Sequence, residues 1–279
     1  MLHVEQSLTH SSPSPHSEPN VHRHTLPHTP QHHPPLPHPP TSIQSRREQL
    51  QTLMRLLHTL HLGLLIPLAL SGGILRAQNY DSLMRAHGLI EVQLIAPRIQ
   101  VQLKYATRDN FTGANMYGSL RKAYLHPNLA QALARAQERL EQEHPGYRFL
   151  IYDAARPLSA QRRMYEQVAG TPKRIYVAHP RRGGRHNYGV AVDLTIVDDR
   201  GRALDMGSPF DHFGPEAHLG KEQERARAGI FAPDVPANRA LMRRILSAVG
   251  LRPYDKEWWH YQERMSMPEV RRRYRLLDF

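Results

Sequence analysis

The chain has 279 residues, a formal net charge of +12 and no cysteine. Without thiols it forms no disulfide and offers no thiolate as ligand or nucleophile. Its positive charge attracts anionic polymers, but no helix-turn-helix, RNA-binding motif or aromatic-basic stripe accompanies that charge, so nucleic acid is not an expected partner.

Residues 1–45 carry nine of the nineteen His and ten of the twenty-three Pro, with almost no apolar periodicity. The His spacing is irregular and nothing converges, so residues 1–53 read as a disordered tail rather than a metal-binding tract. Residues 54–77 read as a secretory signal peptide: Arg55 opens it, and an apolar run from Leu62 to Leu75 follows. Pro67 and Gly72-Gly73 interrupt that run, which is short for a bilayer span. Cleavage is expected after Gly73 or Ala77, with Met54 as the true initiator and 1–53 upstream of it. Ser45-Arg46-Arg47 keeps a twin-arginine route open, and an uncut anchor is the other reading. The expected mature protein is residues 78–279, exported to the periplasm or envelope, with no stable membrane anchor after cleavage. It still carries about ten net positive charges, which makes anionic envelope polymers the expected contact.

Residues 91–106 alternate as one or two strands, and 107–118 form a loop. Pro127 and Asn128 open a helix to Glu143, with Leu129, Leu133, Ala136 and Leu140 at helical spacing. Residues 147–154 form a strand, and Ser159 caps the next helix, which stops at Gly170. A basic loop from Pro172 to Arg185 leads to the strand 190–197. Asp198-Asp199-Arg200-Gly201 turns it back toward 202–206 as a hairpin. A polar excursion spans 207–234. A helix follows, with Pro236 near its start and Gly250 past its end, then the strand EWWHY (257–261) and a basic helix after Pro268. The expected fold class is α+β: one catalytic domain with a mainly antiparallel sheet flanked by helices.

Two stretches carry chemistry, GGRHNYGVAVDLT (183–195) and EWWHY (257–261). They supply His186, Asp193 and His260, two imidazoles and a carboxylate, which is a three-ligand zinc set with a fourth position open. Asp193 stands inside the apolar run VAVDLTIV, where its burial is costly unless it is paired or bound to a cation. A bend at Asn187-Tyr188-Gly189 is needed, because an odd separation on one strand would point His186 and Asp193 to opposite faces. The bland readings are a surface His186 and a His260 hydrogen-bonded in the core with Glu257 as its counter-ion. The chemical reading makes His260 the third ligand of one zinc ion per chain and Glu257 the general base toward water. Arg156, at the end of the strand in YDAARP, is placed to stabilise an oxyanion; alone it would pass for a surface Arg.

Taken together with LKYATRDNFTG (103–113), YDAARP and DMGSPFD (205–211), these motifs resemble the zinc D-alanyl-D-alanine dipeptidase family over about residues 90–265. The resemblance implies hydrolysis of a small D-amino-acid dipeptide, with zinc on His186, Asp193 and His260, Glu257 as base and Arg156 polarising the carbonyl. It also implies that Asp153 and Asp211 lie near the substrate ammonium. Gly184 departs from the pattern, because the resistance enzymes of the family have a Ser there that contacts the substrate carboxylate; backbone N–H groups or Arg185 are the substitutes. The alternatives are a D,D- or L,D-carboxypeptidase acting on larger muropeptides, a zinc-containing module that binds wall peptides without cutting them, and an envelope-polymer binder driven by basic charge.

Overall fold

The structure, a computed structural model, describes residues 50–51 and 79–279. Apart from 50–51, the His/Pro tail and the expected signal peptide lie outside the described residues. Among the described residues no helix is long and apolar enough to cross a membrane.

The fold is α+β. Helix α1 (Tyr80–Ala86), which the periodicity does not announce, is capped by Asn79, whose Oδ1 accepts from the Ser82 N–H at 3.1 Å. Segment 91–106 departs from the expected strands. β1 (Ile90–Glu91) leads into one helical turn, α2 (Val92–Ile95), and then β2 (Gln100–Val101). Pro97 cannot donate to a ladder, and the chain turns around it with the Ile99 N–H on the Ala96 carbonyl at 3.0 Å. β3 (Tyr124–Leu125) pairs with β1 in a small antiparallel sheet.

The main sheet adds β4 (Arg148–Asp153), β5 (Ala191–Val197), β6 (Arg252–Tyr254) and β7 (Glu257–Gln262), in the order β2-β4-β5-β7-β6. Every neighbouring pair is antiparallel except β2 with β4, which makes the sheet mixed. Central strand β5 is buried at all seven positions. Its continuation is one bridge, Val197 with Ala203, rather than a full hairpin strand.

Helix α3 (Pro127–Glu143) starts on Pro127 as expected and buries Leu129, Leu133, Ala136 and Leu140 against β4 and α6 (Val235–Ala248). Each such Leu contributes about 1.5–3 kcal/mol. Gln137 in the same stripe clamps β4, donating to the Tyr147 carbonyl at 3.1 Å and accepting from the Phe149 N–H at 2.8 Å. Helix α4 (Leu158–Val168) has Pro157, not Ser159, at its N-cap. The C-terminal segment replaces the expected cap: the Leu158 and Ser159 N–H groups donate to the Leu277 and Phe279 carbonyls. Within the 207–234 excursion lies α5 (Glu222–Arg227). Arg239 of α6, almost fully buried, ties this excursion down by donating to the Met206, Glu216 and His218 carbonyls at 2.7, 2.6 and 3.1 Å. Burial lowers its pKa to about 10. The C-terminal helix is α7 (Met267–Arg273).

Candidate active site

Strand register assembles the site. Asp193 on β5 lies directly opposite Asp153 on β4 and His260 on β7, so all three point to one face of the sheet. A bulge makes this alignment: β4 spends one extra residue, Tyr152, between the pairs Ile151–Leu194 and Asp153–Asp193. His186 arrives from a 3-10 turn, Arg185–Tyr188, closed by Gly189 in the left-handed region at φ 67°. A Cβ at Gly189 would also lie 2.7 Å from Leu89, so glycine is required there twice over. This is the bend that the seven-residue spacing of His186 and Asp193 demands. Glu257 and His260, three apart, would face opposite ways on a regular strand. Here β7 advances from Tyr261 to Glu257 while β6 advances one residue, and both side chains reach the same cleft.

His186 Nε2, His260 Nδ1 and Asp193 Oδ1 form a triangle with sides of 3.1, 3.0 and 3.3 Å. All three residues are buried. The outer ring nitrogens are engaged elsewhere: His186 Nδ1 donates to the Ala154 carbonyl at 2.9 Å, and His260 Nε2 donates to Gln262 Oε1 at 3.1 Å. Both imidazoles therefore present bare lone pairs inward, beside a carboxylate oxygen. Three electron-rich atoms so close call for positive charge among them, from a proton on an imidazole or from a metal ion. Tetrahedral zinc with bonds of about 2.0–2.2 Å spaces its ligands by about 3.3–3.5 Å, so the donor set fits zinc with a relaxation of a few tenths of an ångström. Burial works against charge on Asp193, but with the imidazoles protonated and donating to it, as in the metal-free site, their charge and hydrogen bonds outweigh burial and hold the carboxyl below the usual range.

Glu257 Oε2 stands 3.8 Å from His260 Nδ1, beside the three residues whose ligand atoms converge but not among them. Burial, reinforced by the charges of Asp193 and Asp211 and partly offset by His260, pushes its pKa up to about 7. Arg156 lines the cleft and is itself largely buried. Its Nε and Nη2 donate to Asp153 Oδ2 at 3.0 and 2.5 Å, and its Nη1 donates to Gln161 at 2.9 Å. The guanidinium lies 4.9 Å from the Tyr105 ring centre.

Asp153, expected near a substrate ammonium, has its place beneath Arg156. It is fully buried and does not line the cleft. Besides Arg156 it accepts from the Tyr117 hydroxyl and the Ala154 N–H, which saturates both oxygens. It lies under the cleft and fixes Arg156. Asp211 does line the cleft, accepting from the Tyr105 hydroxyl at 2.8 Å and the Phe111 N–H at 3.2 Å. It is the one described non-glycine residue at positive φ, 62°, a strained conformation that concentrates at functional sites. Burial raises its pKa to about 7 despite those two hydrogen bonds.

The cleft has a volume of about 340 Å³, and its lining includes the aromatic residues Phe111, Tyr176, Phe213 and Tyr254. Sequence reasoning missed Tyr105, Tyr117, Asn187 and Gln262. Two of them left a signal: Asn187 stands in the bend that the spacing demands, though its stapling role does not show, and Gln262 lies two residues from His260 and hence on the same strand face. Asn187 is completely buried and staples the ligand turn, donating to the Arg156 carbonyl at 2.9 Å and accepting from the Gly184 N–H at 2.7 Å.

Comparison with known proteins identifies the family. The family model described as peptidase M15, D-ala-D-ala dipeptidase, matches residues 85–276. A D-alanyl-D-alanine dipeptidase of Escherichia coli (strain K12) is 35% identical over 178 residues, 62% of this chain and 83% of that protein. One of Streptomyces coelicolor is 34% identical over 184 residues, covering 58% and 85%. A third, of Enterococcus faecalis, is 30% identical over 178 residues, covering 57% and 83%. The chain belongs to the D-Ala-D-Ala dipeptidase family of metallopeptidases.

Proposed function

We propose that the chain is a zinc-dependent dipeptidase that hydrolyses D-Ala-D-Ala in cell-wall peptide turnover, working outside the cytoplasm in the envelope. The observation that carries the reading is the convergence of His186 Nε2, Asp193 Oδ1 and His260 Nδ1, within 3.0–3.3 Å of one another, in a cleft that also presents Glu257. These three residues would hold one zinc ion, which when bound polarises a carbonyl and brings the acidity of water toward neutral pH.

Glu257 accepts a proton from the attacking water and returns it to the departing amine. Its raised pKa suits both halves of that task, since a carboxylate of ordinary acidity would hold the proton too weakly. Arg156 spends three of a guanidinium's five N–H groups on Asp153 and Gln161. The remaining two face charge that develops on the carbonyl oxygen. Asp211, held by Tyr105 and Phe111, receives the substrate ammonium.

The test is purified zinc-loaded protein given D-Ala-D-Ala and a pentapeptide ending in D-Ala-D-Ala, with release of D-alanine measured. The dipeptide is expected to turn over. Glu257→Gln is expected to keep its zinc and lose about 10²–10⁴-fold in kcat. Preferred cleavage of the pentapeptide would assign a carboxypeptidase instead, and full turnover by Glu257→Gln would remove the base from Glu257.

A further inference from the structure

We infer that the segment Leu276–Phe279 is a positioning latch for the site, holding the turn that carries His186 in fixed relation to the helix that secures Arg156. The inference rests on the hydrolase reading above. Leu277 makes the bridge through its backbone. Its N–H donates to the Asn187 carbonyl at 2.9 Å, and its carbonyl accepts from the Leu158 N–H at 2.8 Å. One residue thus joins the ligand turn to the first turn of α4, and its own side chain is fully buried.

On the turn side, Asn187 directly follows His186 and already spends its side chain on the Arg156 carbonyl and the Gly184 N–H. Leu277 takes its main-chain carbonyl. Leu276 closes the same flank: a Cβ on Gly183 would lie 2.9 Å from Leu276 Cδ1, so no side chain fits between turn and segment. On the helix side, the Ser159 N–H donates to the Phe279 carbonyl at 3.1 Å. Helix α4 then presents Gln161, which accepts from Arg156 Nη1 at 2.9 Å and donates to the Ala178 carbonyl at 2.8 Å. The Arg156 N–H donates to the His186 carbonyl at 2.9 Å. The contacts therefore close a ring that runs from His186 through Asn187, Leu277 and α4 to Arg156 and back.

The ring needs this member. A single 3-10 turn has poor hydrogen-bond geometry and little stability of its own, so its position is set by what it packs on. The opening N–H groups of a helix need acceptors from outside it, and here the segment supplies them. The far end is anchored on α1, where the Phe279 ring stands 5.0 Å from that of His87 and 6.3 Å from that of Tyr80. Neither Leu276 nor Leu277 lines the cleft. Their part is to place the groups that do.

The experiment loads the full chain with cobalt(II) in place of zinc, because the visible absorption of that ion reports ligand geometry without any turnover. Leu277→Ala is compared with Leu133→Ala, which empties an equally buried site in α3, away from the turn. Leu277→Ala is expected to bind cobalt about 10-fold more weakly and to shift or weaken its visible band. Leu133→Ala should lower Tm by a similar amount and keep the parent's band and affinity. Phe279→Ala loosens only the far end and should fall between the parent and Leu277→Ala; it carries the comparison if Leu277→Ala does not fold. Parent band and affinity in the latch variants, or an equal loss in Leu133→Ala, overturns the inference while the hydrolase reading stands. A parent chain that binds no cobalt and cleaves no D-Ala-D-Ala overturns the hydrolase reading and this inference with it.

Discussion

Replacing Asp153 by Asn removes one negative charge and almost no volume. In the native protein Asp153 neutralises Arg156 through two hydrogen bonds, of 3.0 and 2.5 Å, and neither residue is appreciably exposed. The variant leaves a guanidinium buried without its counter-charge, a change that costs about 3–5 kcal/mol. For a domain of this size each kcal/mol is about 2–4 °C in Tm, so the midpoint should fall by about 6–20 °C. Arg156→Met alone should also destabilise, because it strands the Asp153 carboxylate. The double variant should recover much of the loss, since no naked charge remains. Urea unfolding of the four proteins closes a double-mutant cycle that isolates the coupling. Simple addition of the two single losses would refute the pairing. A stable Asp153→Asn protein with a raised KM would return Asp153 to the role of binding the substrate ammonium directly.

Four further outcomes are expected. Gln262→Leu deprives His260 Nε2 of its acceptor at 3.1 Å and should weaken zinc about 10- to 100-fold in a chelator competition. Gly189→Ala forces a side chain into φ 67° and against Leu89, and should lower Tm by about 2–8 °C. Burial raises both Asp211 and Glu257 to about 7 in the metal-free protein, and a zinc ion beside Glu257 would pull that residue lower; on the proposed roles the fall of kcat/KM below pH 7 should therefore follow Asp211, and Asp211→Asn should make it shallower. The same two groups hold protons in the folded state that the unfolded chain releases from about pH 4, so the metal-free protein should lose stability between about pH 4 and 7.

The sequence shows the site more readily than it shows the sheet. A carboxylate inside VAVDLTIV is anomalous in any core, and an imidazole three residues after Glu257 invites a shared role, so these residues stand out before any coordinates. What brings them together is less legible. The bulge at Tyr152 and the irregular pairing of β6 with β7 belong to strand register, which depends on partners distant in sequence. The acceptor for His186 Nδ1 is a backbone carbonyl, which every residue carries and none advertises. The surroundings of Asp153 are illegible for a related reason: acid content beside Arg156 is visible, but saturation of that acid by Tyr117, thirty-six residues away, is not. The long helices α3 and α6 were readable because 3.6-residue periodicity with Pro at one end is a local signal. Segment 91–106 was not, because short alternation fits a strand or a turn-broken chain equally well.

Position on β5 gives the three ligands unequal mobility. Strand β5 is paired on both edges and buried along its whole length, so its amides should exchange with solvent deuterium only when the whole domain opens. Asp193 moves with that strand, so as a proposed ligand it should let go only on the timescale of global unfolding. His186 sits on a single 3-10 turn, which can open locally at far lower free energy. Metal exchange under a chelator therefore begins at the turn, and its rate should respond to Asn187 and Gly189 while remaining indifferent to urea concentrations too low to unfold the sheet.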